Sequence, residues 1–540
     1  MESTIDTEDN NRRSLWKERA AVMGAAAGMA VLLASLRPDY MEHWDEIQLA
    51  LGLEHFDLAS HHPHPPGYYL FIVLGRLVNL VVGNPEDALR WVSILACAVG
   101  IVLVGSAFPK RLSAAARLAL LSALAGFFIL SPVILPFGIV ALPYAGEAVC
   151  WLGVLLWISR RPRGWGLVGL LAFIGISAGL RQTLAVWGLA VFLLLTVRRR
   201  DSLGLRDAVR AVSGFVASVL VWFMPMLLET GGWETYVQTT HGLLGRAVWL
   251  KSVFVVGWVP VVFIRVPQML SDLWTAAGPV LVLVLAAAVG RCHPRTRPLL
   301  ARWDVLPLGA AIAFVFYSLM VYDSTGYILP VAIPLVAYGF IGVAEVAGAV
   351  GRRTGLAVCV GVTVVVSGFL LWPGGVLSEE GSRYHRLCRH DEAMEKRLTA
   401  LRQKFDPDDT LLVTSRDNRD WNFRLAMYYL PEFTTLELVV DPAMVGVGPQ
   451  TPYLVGRDRR IRFMGPYVMD VSSLPEFDPP HDLRNLVYMP GPKAARHVDR
   501  GCLLTAEELK IGTDDIFWVS AVNESAAVYV VRQQLVCRSR

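Results

Sequence analysis

The chemistry in this chain gathers in one stretch, residues 43–69, which reads HWDEIQLALGLEHFDLASHHPHPPGYY. It offers two adjacent carboxylates, Asp45 and Glu46, and a turn in which His61, His62 and His64 mix with Pro63, Pro65 and Pro66. A carboxylate whose burial and neighbours bring its pKa toward neutrality serves as a general base. The same acidic pair also suits the first turn of a helix, where the macrodipole favours negative charge. Paired prolines stop a helix and stiffen the turn. Imidazole and carboxylate together make a metal site one reading. The H-H-x-H spacing matches no zinc signature, and a rigid turn with partly solvated histidines is the plainer reading.

Further candidates lie at the ends of apolar runs. Glu147, in LPYAGEAVCW, sits just inside such a run and needs a partner or a role. Arg181 and Gln182 lie between two apolar runs, and an arginine offers a planar fork of donors suited to phosphate. The alternative is an arginine that snorkels to lipid headgroups. Arg246 and Lys251, in the polar loop 230–251, pose the same choice. Arg181 is the stronger candidate, because Gln182 and Thr183 follow it and it joins two apolar segments directly. His62, His64, Tyr68, His241 and Tyr327 are candidates for lining a substrate cavity, although aromatic and histidine residues at an interface also act as anchors. The sequence contains no Walker loop, no G-x-G-x-x-G before a helix, no HExxH and no CxxC pair, which argues against a nucleotide-driven pump or a zinc protease.

The elements that must position these groups are membrane helices. Of 540 residues, 54% are hydrophobic and 18% charged, and the apolar residues fall into repeated runs. Runs of roughly 18–22 residues match a hydrocarbon core of about 30 Å. The net charge of +4 is too small to imply a nucleic-acid partner, and the basic residues sit mostly in short loops. Arg12, Arg13, Lys17 and Arg19 precede the first span, 20–36, and place the N-terminus in the cytoplasm. No small-residue cleavage site closes this run, which reads as a retained anchor.

The short run 68–82, with Arg76 and Asn79, decides the topology. Lying in the outer interface, it leaves the clusters at 110–111, 160–163 and 198–200 inside, as the positive-inside rule requires. The run 46–58 reads as similar, with Gln48, Gly52 and His55 on one stripe. The spans that follow are 88–108, 118–135, a fourth ending at Ser159, then 166–180, 184–197, 211–228, 273–289, 305–321, 328–346 and 357–372. The run 252–270, which carries Arg265, does not cross alone. The fold class is thus a polytopic α-helical membrane protein with about eleven spans and interfacial helices in the first outer loop. Residues 1–372 form the membrane domain, with that loop at about 37–87, and 373–540 form a small extracytoplasmic α/β domain. In the latter, a helix over 391–405 and strands over 410–414, 436–440 and 527–531 are expected. Cys97, Cys150 and Cys359 read as small hydrophobes, while Cys388, Cys502 and Cys537 allow one disulfide whose pairing spacing does not name.

Taken together, WDEIQLALGLEHFDLASHHPHPPGYYLFIVLGRLV, GLRQT (179–183), TGYILP (325–330) and AMYYLPEF (426–433) resemble the GT-C superfamily of integral membrane glycosyltransferases. The similarity is to its protein O-mannosyltransferase and aminoarabinose-transferase branch, in the bacterial members. It implies a GT-C fold, a sugar donor carried on a polyprenyl phosphate, and transfer with inversion on the outer face of the cell membrane. By this resemblance Asp45 is the general base, Glu147 positions acceptor or metal, and Arg181 binds the donor phosphate. Glu46 departs from the small polar residue common in relatives, so which of Asp45 and Glu46 is the base stays open. The resemblance implies no obligatory metal with a monophosphate donor, although some members use a divalent ion. The acceptor is a glycan, lipid or protein hydroxyl. The alternative function is a transporter or flippase of lipid-linked saccharides, which calls for charges deep in several spans or broken helices in matched halves. A membrane-anchored scaffold does not need so many spans.

Overall fold

The structure is a computed structural model, and it describes residues 2–198, 204–243, 248–294, 296–350, 352–372, 382–415, 421–438, 453–455, 461–463, 485–489, 506–511 and 514–520. Contacts divide the chain into two compact units: 1–38 with 52–386, and 39–51 with 387–540. Residues 39–51 thus group with the C-terminal residues.

The first unit is helical. Among the described residues, six helices are long and apolar enough to cross a membrane: Trp16–Ser35, Pro85–Ala107, Leu205–Glu229, Trp258–Cys292, Arg297–Leu319 and Thr325–Ala349. The other expected spans fall on shorter apolar helices, including Ala114–Leu130, Tyr144–Ser159, Trp165–Ser177 and Thr183–Leu193. At about 1.5 Å per residue, the 13 residues of Trp165–Ser177 cover only about 20 Å as helix.

Several boundaries differ from the sequence expectation for local reasons. The run expected at 118–135 is helical over Ala114–Leu130 and breaks at Ser131, whose hydroxyl donates to Ala276 O at 2.7 Å. A separate and fully buried helix, Ile134–Ile139, follows before the fourth span begins at Tyr144. The run 252–270, expected not to cross alone, is joined to the span after it. It continues into the next span through a π-helical turn, Val261–Arg265. Arg265 is held there by Ser318 O and Lys251 O, at 2.9 and 2.6 Å. The polar stripe expected on 46–58 is not a wet face. The helix is Trp44–Glu54, Gln48 is 1% exposed, and a Cβ on Gly52 would lie 2.7 Å from Pro63 Cδ.

Arg76, an anomaly in an apolar run, has a structural task on helix Tyr69–Val82. Its Nε and Nη2 donate to Leu53 O and Gly52 O, the open carbonyls at the end of Trp44–Glu54. Its Nη1 pairs with Glu229 Oε2 at 3.1 Å. A cation at a helix C-terminus is favoured by the dipole.

The second unit is an α/β body. Its strands are β1 Thr410–Ser415, β2 Thr434–Leu438, β3 Tyr453–Val455, β4 Ile461–Phe463, β5 Asn485–Met489, β6 Ala506–Ile511 and β7 Asp514–Ser520. They form one sheet in the order β4-β3-β2-β1-β5-β7-β6. The central strand β1 is parallel to β2 and β5, and the outer pairs are antiparallel. Leu411 and Leu412 on β1 are fully buried. The crossover from β1 to β2 carries helix Phe423–Tyr429, as a parallel pair demands. The helix expected at 391–405 runs over Arg383–Lys404, and the second strand lies two residues earlier than expected. Residues 527–531, Cys502 and Cys537 lie outside the described residues, and Cys388 is exposed.

Residues 39–44 are strapped into this body. Asp391 accepts from the Asp39 and Tyr40 amides, each at 2.9 Å. The Tyr40 hydroxyl donates to Glu395 Oε2. The Met41 amide donates to the Tyr429 hydroxyl at 2.8 Å, and Met41 O lies 3.1 Å from His390 Nε2. Trp44 meets Phe423 edge-on at 4.9 Å and Arg424 at 5.5 Å.

Burial and the hydrogen bond to Glu395 push the Tyr40 hydroxyl up from 10.0 to about 12. A pKa raised on folding means that this contribution to stability is present below the ordinary tyrosine value and fades as pH climbs toward about 12. In a tyrosinate absorbance titration, Tyr40→Phe is expected to lose one late-titrating phenol; an unchanged late step would show that Tyr40 titrates normally.

Candidate functional site

The first unit brings three expected residues together: Glu147, Arg181 and Tyr327. Glu147 is fully buried in the first turn of Tyr144–Ser159. Its carboxylate accepts from Arg181 Nη1 at 2.7 Å, from the Tyr317 hydroxyl at 2.8 Å and from the Thr183 hydroxyl. Arg181 is 7% exposed, with its guanidinium 4.6 Å from the Tyr144 ring centroid and 4.7 Å from that of Tyr327. Tyr327 stacks on Tyr317 at 4.7 Å and meets Tyr144 edge-on at 5.4 Å. An arginine desolvated between aromatic rings gains about 2 kcal/mol from cation–π attraction. Removing one partner of a buried pair costs about 3–5 kcal/mol. The carboxylate therefore holds Arg181 more strongly than the rings do, and the rings set the plane of the guanidinium.

Local sequence explains this geometry. Tyr144 lies three residues before Glu147, so one helical turn places both on the same face. Helix Trp165–Ser177 gives way to a turn at Gly179, where a Cβ would lie 2.7 Å from Leu70 Cγ and 2.8 Å from Trp222 Cγ. That close approach lets Gly179 O accept from the Leu70 amide at 2.9 Å. Gln182 Nε2 reaches Pro66 O at 3.4 Å, which ties the His/Pro turn to the same corner. At Gly326 a Cβ would lie 2.7 Å from Tyr144, so only glycine lets Tyr144 close on Tyr327.

The His/Pro turn is rigid. Asp57 and His62 exchange both backbone hydrogen bonds, at 2.6 and 2.7 Å. The Asp57 carboxylate accepts from the Ala59 and Ser60 amides and the Ser60 hydroxyl. Burial works against its charge, but these bonds and nearby His62 outweigh it and hold the carboxyl below its usual range. Two cis prolyl bonds, His62–Pro63 and Pro65–Pro66, and Gly67 at φ 111° complete the turn. His62 is buried, while His64 is half-buried with its ring 5.0 Å from Tyr68. Among the described residues, no three His, Cys, Asp or Glu side chains are placed to share a metal ion.

The acidic pair separates into two roles within the second unit. Helix Trp44–Glu54 follows His43, whose Nδ1 accepts from the Asp45 amide at 3.1 Å. Glu46, 1% exposed, reaches back and accepts from the His43 amide at 3.0 Å. This is a variant capping box, with histidine in place of the usual Ser or Thr and its ring nitrogen accepting from the second helical amide instead of the third. Glu46 is thus committed to the helix start. The Asp45 side chain keeps 31% of its surface exposed, with Oδ2 3.6 Å from His43 Nδ1.

Tyr68, at the end of the His/Pro turn, is also near enough to Arg181 to interact with its charge. His241 is exposed on helix Trp233–Leu243. Arg246 lies outside the described residues. Tyr144, Thr183 and Tyr317 belong to the cluster although sequence reasoning did not name them as site residues. Only the i, i+3 spacing of Tyr144 to Glu147 signalled one of them.

Glu147→Gln is expected to lower the thermal midpoint in detergent, by a loss of about 3 kcal/mol. Arg181→Gln in the same chain should recover part of that loss. Additive losses in the double variant would mean the pair is not coupled.

No family model matches the chain, and no curated protein sequence matches it. Solved structures do. ArnT from Cupriavidus metallidurans bound to undecaprenyl phosphate superposes with a TM-score of 0.57 at 15% identity, covering 92% of this chain and 97% of that one. Its apo form gives 0.54 at 15% identity over 93% and 98%. The oligosaccharyltransferase of Archaeoglobus fulgidus, with Zn and sulfate, gives 0.45 at 13% over 87% and 68%, too distant to bear on the fold. Over nearly its whole length, the chain shares the fold of ArnT.

Proposed function

We propose that this protein is a glycosyltransferase that moves a sugar from a polyprenyl-phosphate donor to an acceptor hydroxyl. The observation that carries the reading is a buried arginine, Arg181, fixed by Glu147 and held between two tyrosine rings at the ends of apolar helices. A guanidinium held in advance of the reaction stabilises charge as it develops on a leaving phosphate, without reorganising. The fold of a protein crystallised with undecaprenyl phosphate supports a lipid phosphate as the donor's carrier.

In this reading, Asp45 takes the proton from the acceptor hydroxyl. The new bond forms between that oxygen and the sugar's C1 as the C1–O bond to phosphate breaks on the opposite side, so C1 inverts. The electron pair leaves with the polyprenyl phosphate, toward Arg181. Asp45 suits the base better than Glu46, because Glu46 is engaged in the capping box while Asp45 keeps solvent access. Glu147 acts through Arg181 as a positioning residue. Gln182 braces the His/Pro turn, whose His62, His64 and Tyr68, with Tyr327, belong to the donor side of the site, and the polar loop with His241 and Arg246 is assigned there too. The acceptor is a glycan, lipid or protein hydroxyl. The N-terminus is assigned to the cytoplasm and the C-terminal unit to the outer face of the cell membrane. The residues assigned to the donor give no reason to require a divalent ion, and one remains compatible with Asp45.

Asp45→Asn is expected to abolish transfer from a polyprenyl-phosphate sugar in purified, monodisperse protein, with the thermal midpoint unchanged. Glu46→Gln should instead lower the midpoint by about 1 kcal/mol of helix capping and retain measurable transfer. Full activity in Asp45→Asn would refute the base assignment. Arg181→Lys keeps the charge but loses the planar fork, and it should weaken donor affinity about tenfold or more; unchanged affinity would return Arg181 to a purely structural role.

A further inference from the structure

A charged cavity lies at the other end of the helices that carry the Arg181 cluster. It has a volume of about 610 Å³ and is lined by Lys110, Arg111, Arg160, Arg302, Trp303 and Glu345, with apolar and serine neighbours. The lining sets four cations against one carboxylate. Twelve residues separate Glu147 from Ser159 on one helix, and eighteen separate Tyr327 from Glu345 on another. At about 1.5 Å per residue these are rises of about 18 and 27 Å, which put the two sites toward opposite ends of these helices.

The cations are placed, not merely attracted. Glu345 is 2% exposed and needs compensation. Its Oε2 accepts from Arg111 Nη2 at 2.7 Å and its Oε1 from Arg302 Nη2 at 2.6 Å, so one carboxylate braces two guanidinium groups. Arg111 lies across Gly348, where a Cβ would come within 2.9 Å of Arg111 Cγ, and Arg302 packs 4.4 Å over the Trp303 ring. Both side chains remain largely open, at 42% and 51% exposure. Lys110 and Arg160 are exposed and add two charges that Glu345 does not balance.

We propose that this cavity binds a phosphate group, presented at the membrane face opposite the Arg181 cluster. Braced, solvent-facing arginines offer bidentate donors to a phosphate mono- or diester. Basic pockets between membrane helices on the basic-loop side accept anionic headgroups. A free phosphate compound presents the same chemistry. The site is independent of the transferase reading.

The deciding variant is Lys110→Gln with Arg160→Gln, which leaves the Glu345 pairs intact. Its control is Arg161→Gln with Arg163→Gln, an equal charge change outside the lining. Each full-length protein, purified in uncharged detergent, is given mixed phosphatidylglycerol and phosphatidylcholine, and retained lipid is counted by native mass spectrometry. Separately, the thermal midpoint is followed with pyrophosphate. A phosphatidylglycerol preference that falls about tenfold in the pocket variant but not in the control identifies a lipid headgroup. A pyrophosphate-induced rise in midpoint that disappears only in the pocket variant identifies a free phosphate. Equal behaviour of the pocket variant and the control, or no preference in the unaltered protein, overturns the site.

Discussion

A carboxylate and a guanidinium enclosed among apolar helices can persist only by satisfying each other, and the Glu147–Arg181 pair is that constraint in this chain. Each acceptor lone pair on Glu147 that a donor reaches lowers the cost of burying the charge. Arg181, Thr183 and Tyr317 supply those donors from three different elements. The pair thereby fixes the start of Tyr144–Ser159 against the turn after Trp165–Ser177 and the end of Val305–Leu319. Two glycines, 179 and 326, are the spatial condition for this arrangement, because a methyl group at either would push the neighbouring ring or helix away.

The opposite end of the bundle repeats the logic with a different outcome. Glu345 is nearly as deeply buried as Glu147, yet its two arginines point their surplus charge into an open cavity. At the Glu147 end, tyrosine rings flank a single guanidinium. One arrangement uses its donors internally and leaves one oriented cation. The other presents positive charge to solvent. The two differ in charge count, one cation per carboxylate against four, and in how far the guanidinium groups are exposed.

Asp45 is positioned by the C-terminal unit. The strap 39–44 is held by Asp391, Glu395, Tyr429 and Trp44's aromatic and cationic neighbours, and the helix that follows starts on a His43–Glu46 capping box. Such a start is fixed at both its backbone and its side chain, so the Asp45 carboxylate is presented from a defined first turn. The motif AMYYLPEF, which in sequence is only recognisable, gains a purpose here through Tyr429.

By itself the sequence determined the membrane class, the order of apolar runs and the α/β tail, and it singled out Asp45, Glu46, Glu147 and Arg181 as candidate groups. These follow from composition, run length and the rarity of charge in apolar segments, which are local properties. Which residues meet was decided by tertiary structure. The Gln48 stripe reads as amphipathic, yet Gln48 is buried, since a short helix's polar face can be covered by any neighbour the fold supplies. The chain's division into units was equally hidden, because residues 39–51 and 387–429 are brought together by hydrogen bonds between positions 352 and 351 apart in sequence. Spacing along a chain reports contacts within a turn or two of helix; a charge network assembled from several separate helices leaves no periodic trace.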